Sequence, residues 1–178
     1  MGATRDQILT AALALAADQG VSATSVDDIA SKARVAKGSV FYNFGSKSAL
    51  FEAILAEGVL RLNEDLREAT AGLSGRPAVE ALVGELLERI RENPDFAKFA
   101  VAEMFRTGRD WQDSIRQVRE QVIESIAQVV AEAWPERDAV LTASAIFGAT
   151  LVTGLVWLVF EPERSIEQVR AAILQTLV

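Results

Sequence analysis

The chain has no cysteine and no histidine among its 178 residues. Disulfides, thiol nucleophiles, imidazole general bases and Cys/His zinc sites are therefore excluded. Metal binding would fall to carboxylates alone, and no acidic run has the spacing of an EF-hand loop. No metal and no cofactor is expected. An enzyme built from this alphabet would depend on paired carboxylates, a Ser/Lys pair or a cofactor. No such constellation stands out, so the chain reads as a non-enzyme. Proline is scarce, with 4 residues, and no alternating apolar run flanked by turn residues marks a strand. Abundant Ala, Leu, Glu and Arg favour helix instead. The N-terminus carries no basic, apolar, small-residue leader, and Asp6 stands where a myristoylation signal needs Ser or Thr. A cytoplasmic protein is the expectation.

One further absence is local. From Ile29 to Phe51 there is no acidic residue, although the whole chain has a formal net charge of -7. The window carries Lys32, Arg34, Lys37 and Lys47. Residues 1–51 hold five Lys/Arg against four Asp/Glu, whereas residues 52–178 hold thirteen against twenty-one. The two parts face different partners. A basic window kept inside an acidic chain suits a polyanion, and double-stranded DNA is the expected one.

Apolar spacing and end signals predict an all-α chain of about nine helices. The first covers Thr4 to Asp18 and stops at Gly20. Thr24 or Ser25 caps a short second helix, to about Ala33. Lys37 opens another short helix that ends near Phe44-Gly45. Ser46 caps a long fourth, to about Ala71. After the break at Gly72–Gly75, Pro77 suits the first turn of a fifth, which Asn93-Pro94 closes. A sixth carries Phe96 to Phe105, and a seventh runs from about Asp110 to Ala133. The last two cover Arg137 to Phe160 and Ser165 to Leu177.

Helices two and three are joined by a three-residue turn, Arg34-Val35-Ala36, which is a helix-turn-helix spacing. Val40 and Phe44 are placed to pack inward, and Ser39, Tyr42 and Asn43 to project outward. Lys37-Gly38-Ser39 is small and polar, as a helix entering the major groove requires at its N-terminus. Asn43 has the groups to pair with adenine, and Tyr42 to touch a thymine methyl or a phosphate. At Ser46-Lys47 a helix begins with no acid before Glu52. Its free N–H groups and partial positive charge, with a lysine beside them, suit a phosphate. Ser25 offers a weaker version of the same site. Four basic residues alone fit a solvated loop equally well; the combined spacing of turn, aromatic helix and cap favours DNA.

These residues carry a resemblance. Ile8-Leu9-Thr10-Ala11-Ala12, Thr24-Ser25-Val26-Asp27-Asp28-Ile29-Ala30, Val35-Ala36-Lys37-Gly38-Ser39-Val40-Phe41-Tyr42-Asn43-Phe44 and Ser46-Lys47-Ser48-Ala49-Leu50 resemble the N-terminal domain of TetR family regulators. The likeness covers about a quarter of the chain. It implies a three-helix helix-turn-helix domain over 1–46, continuing into the helix at 46–71, and a helical ligand-binding and dimerisation domain over 47–178. By the resemblance, Ser25, Arg34, Lys37, Gly38, Ser39, Phe41, Tyr42, Asn43, Ser46 and Lys47 are the DNA-binding residues. Phe41 departs from the usual Tyr and lacks its hydroxyl, and Asn43 stands where His or Tyr is usual. Arg34 stands where Gly is common, and a left-handed Arg costs about 1 kcal/mol.

Ala139 to Phe160 is 22 residues without a charge. As a helix it spans roughly 33 Å, enough to cross a bilayer. Its flanking charges are alike in type at both ends, so no positive-inside bias appears. The favoured alternative is a helix covered on both faces, one by its own domain and one by a second copy. Ala145, Ala149 and Thr153 form a small-residue row that permits close approach. The resemblance implies a homodimer through the last two helices and no membrane. It also implies a small-molecule effector held among helices four to eight. Leu62, Leu86, Ile90, Phe99, Met104 and Phe105 are candidate lining residues, with Trp111, Val122, Phe147, Leu151 and Trp157. Polar candidates are few: Thr107, Gln117, Gln121, Thr150 and Thr153. A mainly apolar or aromatic effector is expected of a ligand-responsive repressor. A helical membrane-associated or adaptor protein without DNA binding is the alternative.

Overall fold

The computed structural model describes residues 2–104 and 112–177. Among them it has nine α-helices and no strand: α1 Ala3–Ala23, α2 Val26–Ala33, α3 Lys37–Phe44, α4 Lys47–Thr70, α5 Gly75–Glu92, α6 Pro94–Met104, α7 Gln112–Ala133, α8 Ala139–Phe160 and α9 Ile166–Gln175. The chain divides into two compact units. Unit 1 is residues 1–58 with 95–117; unit 2 is residues 59–94 with 118–178.

End signals in the sequence account for most helix boundaries. Ser25 and Asp28 form a capping box on α2, and Ser165 and Gln168 form another on α9. The Asp138 carboxylate accepts from the Leu141 N–H at the start of α8. Pro94 takes the first position of α6, where its missing N–H costs nothing. Gly72 in the break before α5 and Gly75 at its first position both have positive φ. Gly20 breaks the first helix as expected, although helical structure resumes after it. It adopts φ 79°, ψ 157° within α1, and a further turn to Ala23 follows. Only glycine takes that conformation without strain. The buried Thr24 hydroxyl donates to the Gly20 carbonyl at 2.9 Å and closes the break.

In unit 1, α1 packs on α2 and α3, and α2 on α3. Ile8, Ala12, Ile29, Val40 and Leu50 are fully or nearly fully buried there. Phe51 of α4 meets Phe99 of α6 with ring centroids 5.7 Å apart. In unit 2, α5 packs on α8 and α9, and α8 on α9. Gly154 permits the close approach of α8 to α5: a Cβ there would lie 3.0 Å from Ile90 Cδ1 and 3.2 Å from Leu87 Cδ2. The buried Trp157 ring is anchored by its indole N–H, which donates to the Arg164 carbonyl at 2.9 Å.

Helix α8 is long and apolar enough to cross a membrane by length and composition. Its faces nevertheless differ. Ala143, Ile146, Thr150, Leu151, Gly154 and Trp157 are buried in unit 2. Val140, Leu141, Val152, Val156, Val159 and Phe160 are exposed in the single chain.

Candidate nucleic-acid interface

Helix α2 ends on Arg34, which adopts the left-handed conformation (φ 57°, ψ 42°). Its N–H donates back to the Ser31 carbonyl at 3.1 Å, and the Val35 N–H to the Ala30 carbonyl at 3.0 Å. The turn is thereby hydrogen-bonded despite the side chain's steric cost, about 1–2 kcal/mol for a non-glycine residue. It is the one described non-glycine residue with positive φ. Ala36 then leads into α3, and Gly45 ends it with φ 73°.

Helix α3 has one buried anchor, Val40. Phe44 is half-buried and lies beneath the Arg5 guanidinium, 5.2 Å from the ring centroid. Arg5 also bonds the Glu57 carboxylate of α4. One N-terminal cation thus bridges α3 and the middle of α4. On the other side of α3, Lys37, Gly38 and Phe41 are exposed and Tyr42 is 91% exposed. A Cβ at Gly38 would meet nothing within 4 Å, so no packing within the protein requires glycine there. Ser39 and Asn43 are half-buried, and the Asn43 amide donates to the Ser39 carbonyl at 2.7 Å. One N–H of the Asn43 amide is therefore committed to the helix.

Ser46 caps α4 as expected: its hydroxyl accepts from the Ala49 N–H at 3.1 Å. The first turn of α4 contains no acid, and Lys47 stands at its first position. The start of α2 is different. There the Ser25 hydroxyl accepts from the Asp28 N–H and donates to the Asp28 carboxylate at 2.6 Å. The Ser25 hydroxyl and then its backbone N–H hold the Asp28 carboxyl below its usual range. Ser25 is thus engaged by a carboxylate within its own helix, which the sequence reading did not include. Also missed was Asp27, whose carboxylate accepts from Lys37 at 2.8 Å. The only signal for it was a first-turn acid ten positions before the lysine.

The effector candidates fall in different places. Leu86, Ile90, Val122, Leu151 and Trp157 are buried in unit 2, and Leu62 and Phe147 are half-buried there. Phe99 and Met104 belong to unit 1, where Phe99 packs on Phe51. Phe105, Thr107 and Trp111 lie outside the described residues. In unit 2 the buried Thr150 hydroxyl and Asn63 carbonyl oxygen have no hydrogen-bond partner among the described residues. An open groove of about 260 Å³ between α5 and α9 is lined by Glu85, Glu88, Glu167 and Arg170 among others, none of them a sequence candidate.

The sequence profile for bacterial regulatory proteins of the tetR family matches residues 8–54, which span the helix-turn-helix. The transcriptional repressor KstR2 of Rhodococcus jostii is 38% identical over 87 residues, 48% of this chain and 43% of that protein. The chain thus matches less than half the length of that curated relative. A solved Clostridium perfringens protein, assigned by inference to the regulation of fatty acid metabolism, is 30% identical with a TM-score of 0.85. That match covers 96% of both chains. A TetR-like transcriptional regulator from Rhodococcus sp. RHA1 has a TM-score of 0.80 at 25% identity, over 98% of this chain and 93% of that one. With relatedness at this level running through both units, the chain belongs to the TetR family of bacterial regulatory proteins.

Proposed function

We propose that this protein is a cytoplasmic, ligand-responsive transcriptional repressor. It binds a palindromic operator in double-stranded DNA as a homodimer and is released by a small, mainly apolar effector. The observation that carries the reading is the surface of α3 beside the start of α4. Lys37, Gly38, Phe41 and Tyr42 face solvent next to a Ser46-capped helix whose first turn has no acid. Such a surface enters a major groove and binds a phosphate at its edge. Ser39 and Asn43 sit on the same helix and are the proposed base readers; Arg34 and Lys47 are the proposed phosphate contacts.

The exposed apolar face of α8 supports a second copy as its cover. Two heads in a two-fold dimer read half-sites roughly 34–36 Å apart. Val156→Glu is expected to shift sedimentation from dimer to monomer; a dimer that persists unchanged removes α8 from the interface. An apolar effector is supported by the buried Leu86, Ile90, Leu151 and Trp157 of unit 2. It is also supported by the Clostridium perfringens relative, which is linked by name to fatty acid metabolism. The partnerless Thr150 hydroxyl offers the effector one polar contact. Effector binding acts through α4, which contributes residues to both units. A coupling of about 1–3 kcal/mol gives a 5–150-fold loss of operator affinity.

The test is a mobility shift with the DNA upstream of the protein's own gene. Specific retention is expected, with Lys47→Ala weakening it for all sequences alike. A folded, soluble protein that retains no fragment refutes the reading and returns the helical adaptor alternative.

A further inference from the structure

Lys37 opens the recognition helix, yet its ammonium is already engaged. Nζ donates to Asp27 Oδ2 at 2.8 Å, with the two side chains 53% and 69% exposed. Pairs this exposed hold their partners by a factor of only about 1.5 to 5. The hold is real but can be broken by a competing anion.

Asp27 is not needed to begin its own helix. The cap on α2 is made by Ser25 and Asp28, which satisfy each other's side chain and backbone groups. Asp27 lies just before the acid-free window of Ile29 to Phe51, and its carboxylate reaches a basic residue inside that window. A carboxylate oxygen at hydrogen-bond distance from a lysine gives that lysine what a DNA phosphate would give.

Resting on the DNA-binding reading above, we infer that Asp27 competes with the DNA backbone for Lys37 and holds down the affinity of the reading head for DNA of every sequence. The Lys37 ammonium has further N–H donors, but a phosphate drawn to them meets the negative charge of Asp27, so Lys37 pairs fully with DNA only by leaving the carboxylate. The carboxylate is then left unpaired beside a polyanion, where it repels phosphate or recruits a cation from solution. The counterion that Lys37 releases from DNA is offset in part by cation drawn to the freed carboxylate. The competition is the same whichever bases follow, so it sets affinity and leaves sequence choice to α3. An effector coupling of 5–150-fold empties an operator only if the starting affinity is not too high. A restraint built into the head keeps it within that range.

The experiment uses the full chain, a random-sequence duplex and several salt concentrations. Asp27→Asn, Lys37→Ala and the double variant are compared with the parent. Asp27→Ser is a second choice if the asparagine variant does not fold, with melting curves as the check. Asp27→Asn is expected to bind roughly 2–5-fold tighter per head. Its log–log salt slope should steepen by up to about one per head. In the Lys37→Ala background the same change should have little effect. Equal tightening in both backgrounds overturns the competition and leaves only bulk charge. Weaker binding by Asp27→Asn also overturns it, because Asp27 then positions Lys37. If all four folded proteins bind neither this duplex nor the upstream fragment, the DNA-binding reading itself has failed.

Discussion

Phe96 of α6 lies directly on Gly58 of α4: a Cβ at Gly58 would sit 2.2 Å from Phe96 Cε2 and 2.3 Å from Cζ. The glycine is a packing requirement, since any side chain must displace an aromatic ring. Overpacking of this kind costs about 1–3 kcal/mol, while Gly→Ala in a helix returns about 1 kcal/mol. Gly58→Ala is therefore expected to lower the urea midpoint, and Gly58→Val to lower it further. A midpoint at or above the parent's would mean that the ring swings aside freely.

Gly38 is the opposite case. It sits in the first turn of α3 with nothing within 4 Å of its would-be Cβ. Gly38→Ala should stabilise the fold by up to about 1 kcal/mol. The same methyl would stand between α3 and a groove wall, so retention of operator DNA should fall. Thermal melting and mobility shift on one preparation check both signs. Unchanged DNA retention would show that the backbone does not approach DNA at Gly38.

Arg34 holds a left-handed conformation that glycine adopts freely. Arg34→Gly is expected to relieve about 1 kcal/mol of steric cost, visible as a raised melting temperature. It also removes a cation from the reading head. DNA affinity should fall, with the salt slope shallower by about one per head. A stabilised variant with undiminished DNA affinity would make Arg34 a bystander to the phosphates.

The Ser25–Asp28 box gives α2 a pH dependence of known sign. Hydrogen bonds from Ser25 lower the Asp28 carboxyl below its usual value of 3.8. A carboxylate depressed on folding stabilises the protein above its unfolded value, and loses that contribution as pH falls through the folded one. Melting curves of the parent and Asp28→Asn should differ at pH 6, and the difference should shrink as pH falls below 3.8 and through the lowered folded value. Curves that stay apart at low pH would assign the difference to something other than ionisation.

Helix ends were legible because their chemistry is local. Ser25, Ser46, Asp138 and Ser165 each satisfy N–H groups within three residues of themselves. The left-handed Arg34 was legible through the resemblance, in which Gly is common at that position. What each apolar face packs against was not. Periodicity marks Phe99 as inward-facing, but its contact with Phe51 joins residues far apart in sequence. Asp27 was hidden differently. A first-turn acid on α2 is ordinary, and only the path of the chain through Arg34 brings it to Lys37. Arg5 shows the same limit, meeting Glu57 across 52 positions. Asn43 had the right groups for adenine, but the fold ties its amide to Ser39.

The sequence holds a single tyrosine, and the fold places it on α3 with 91% of its surface open. Tyr42 is thereby a built-in reporter at one defined point. Fluorotyrosine incorporation would give one resonance, arising from the recognition helix alone and unobscured by the 3 tryptophans. Its chemical shift and line width would follow the docking of that helix without any engineered label.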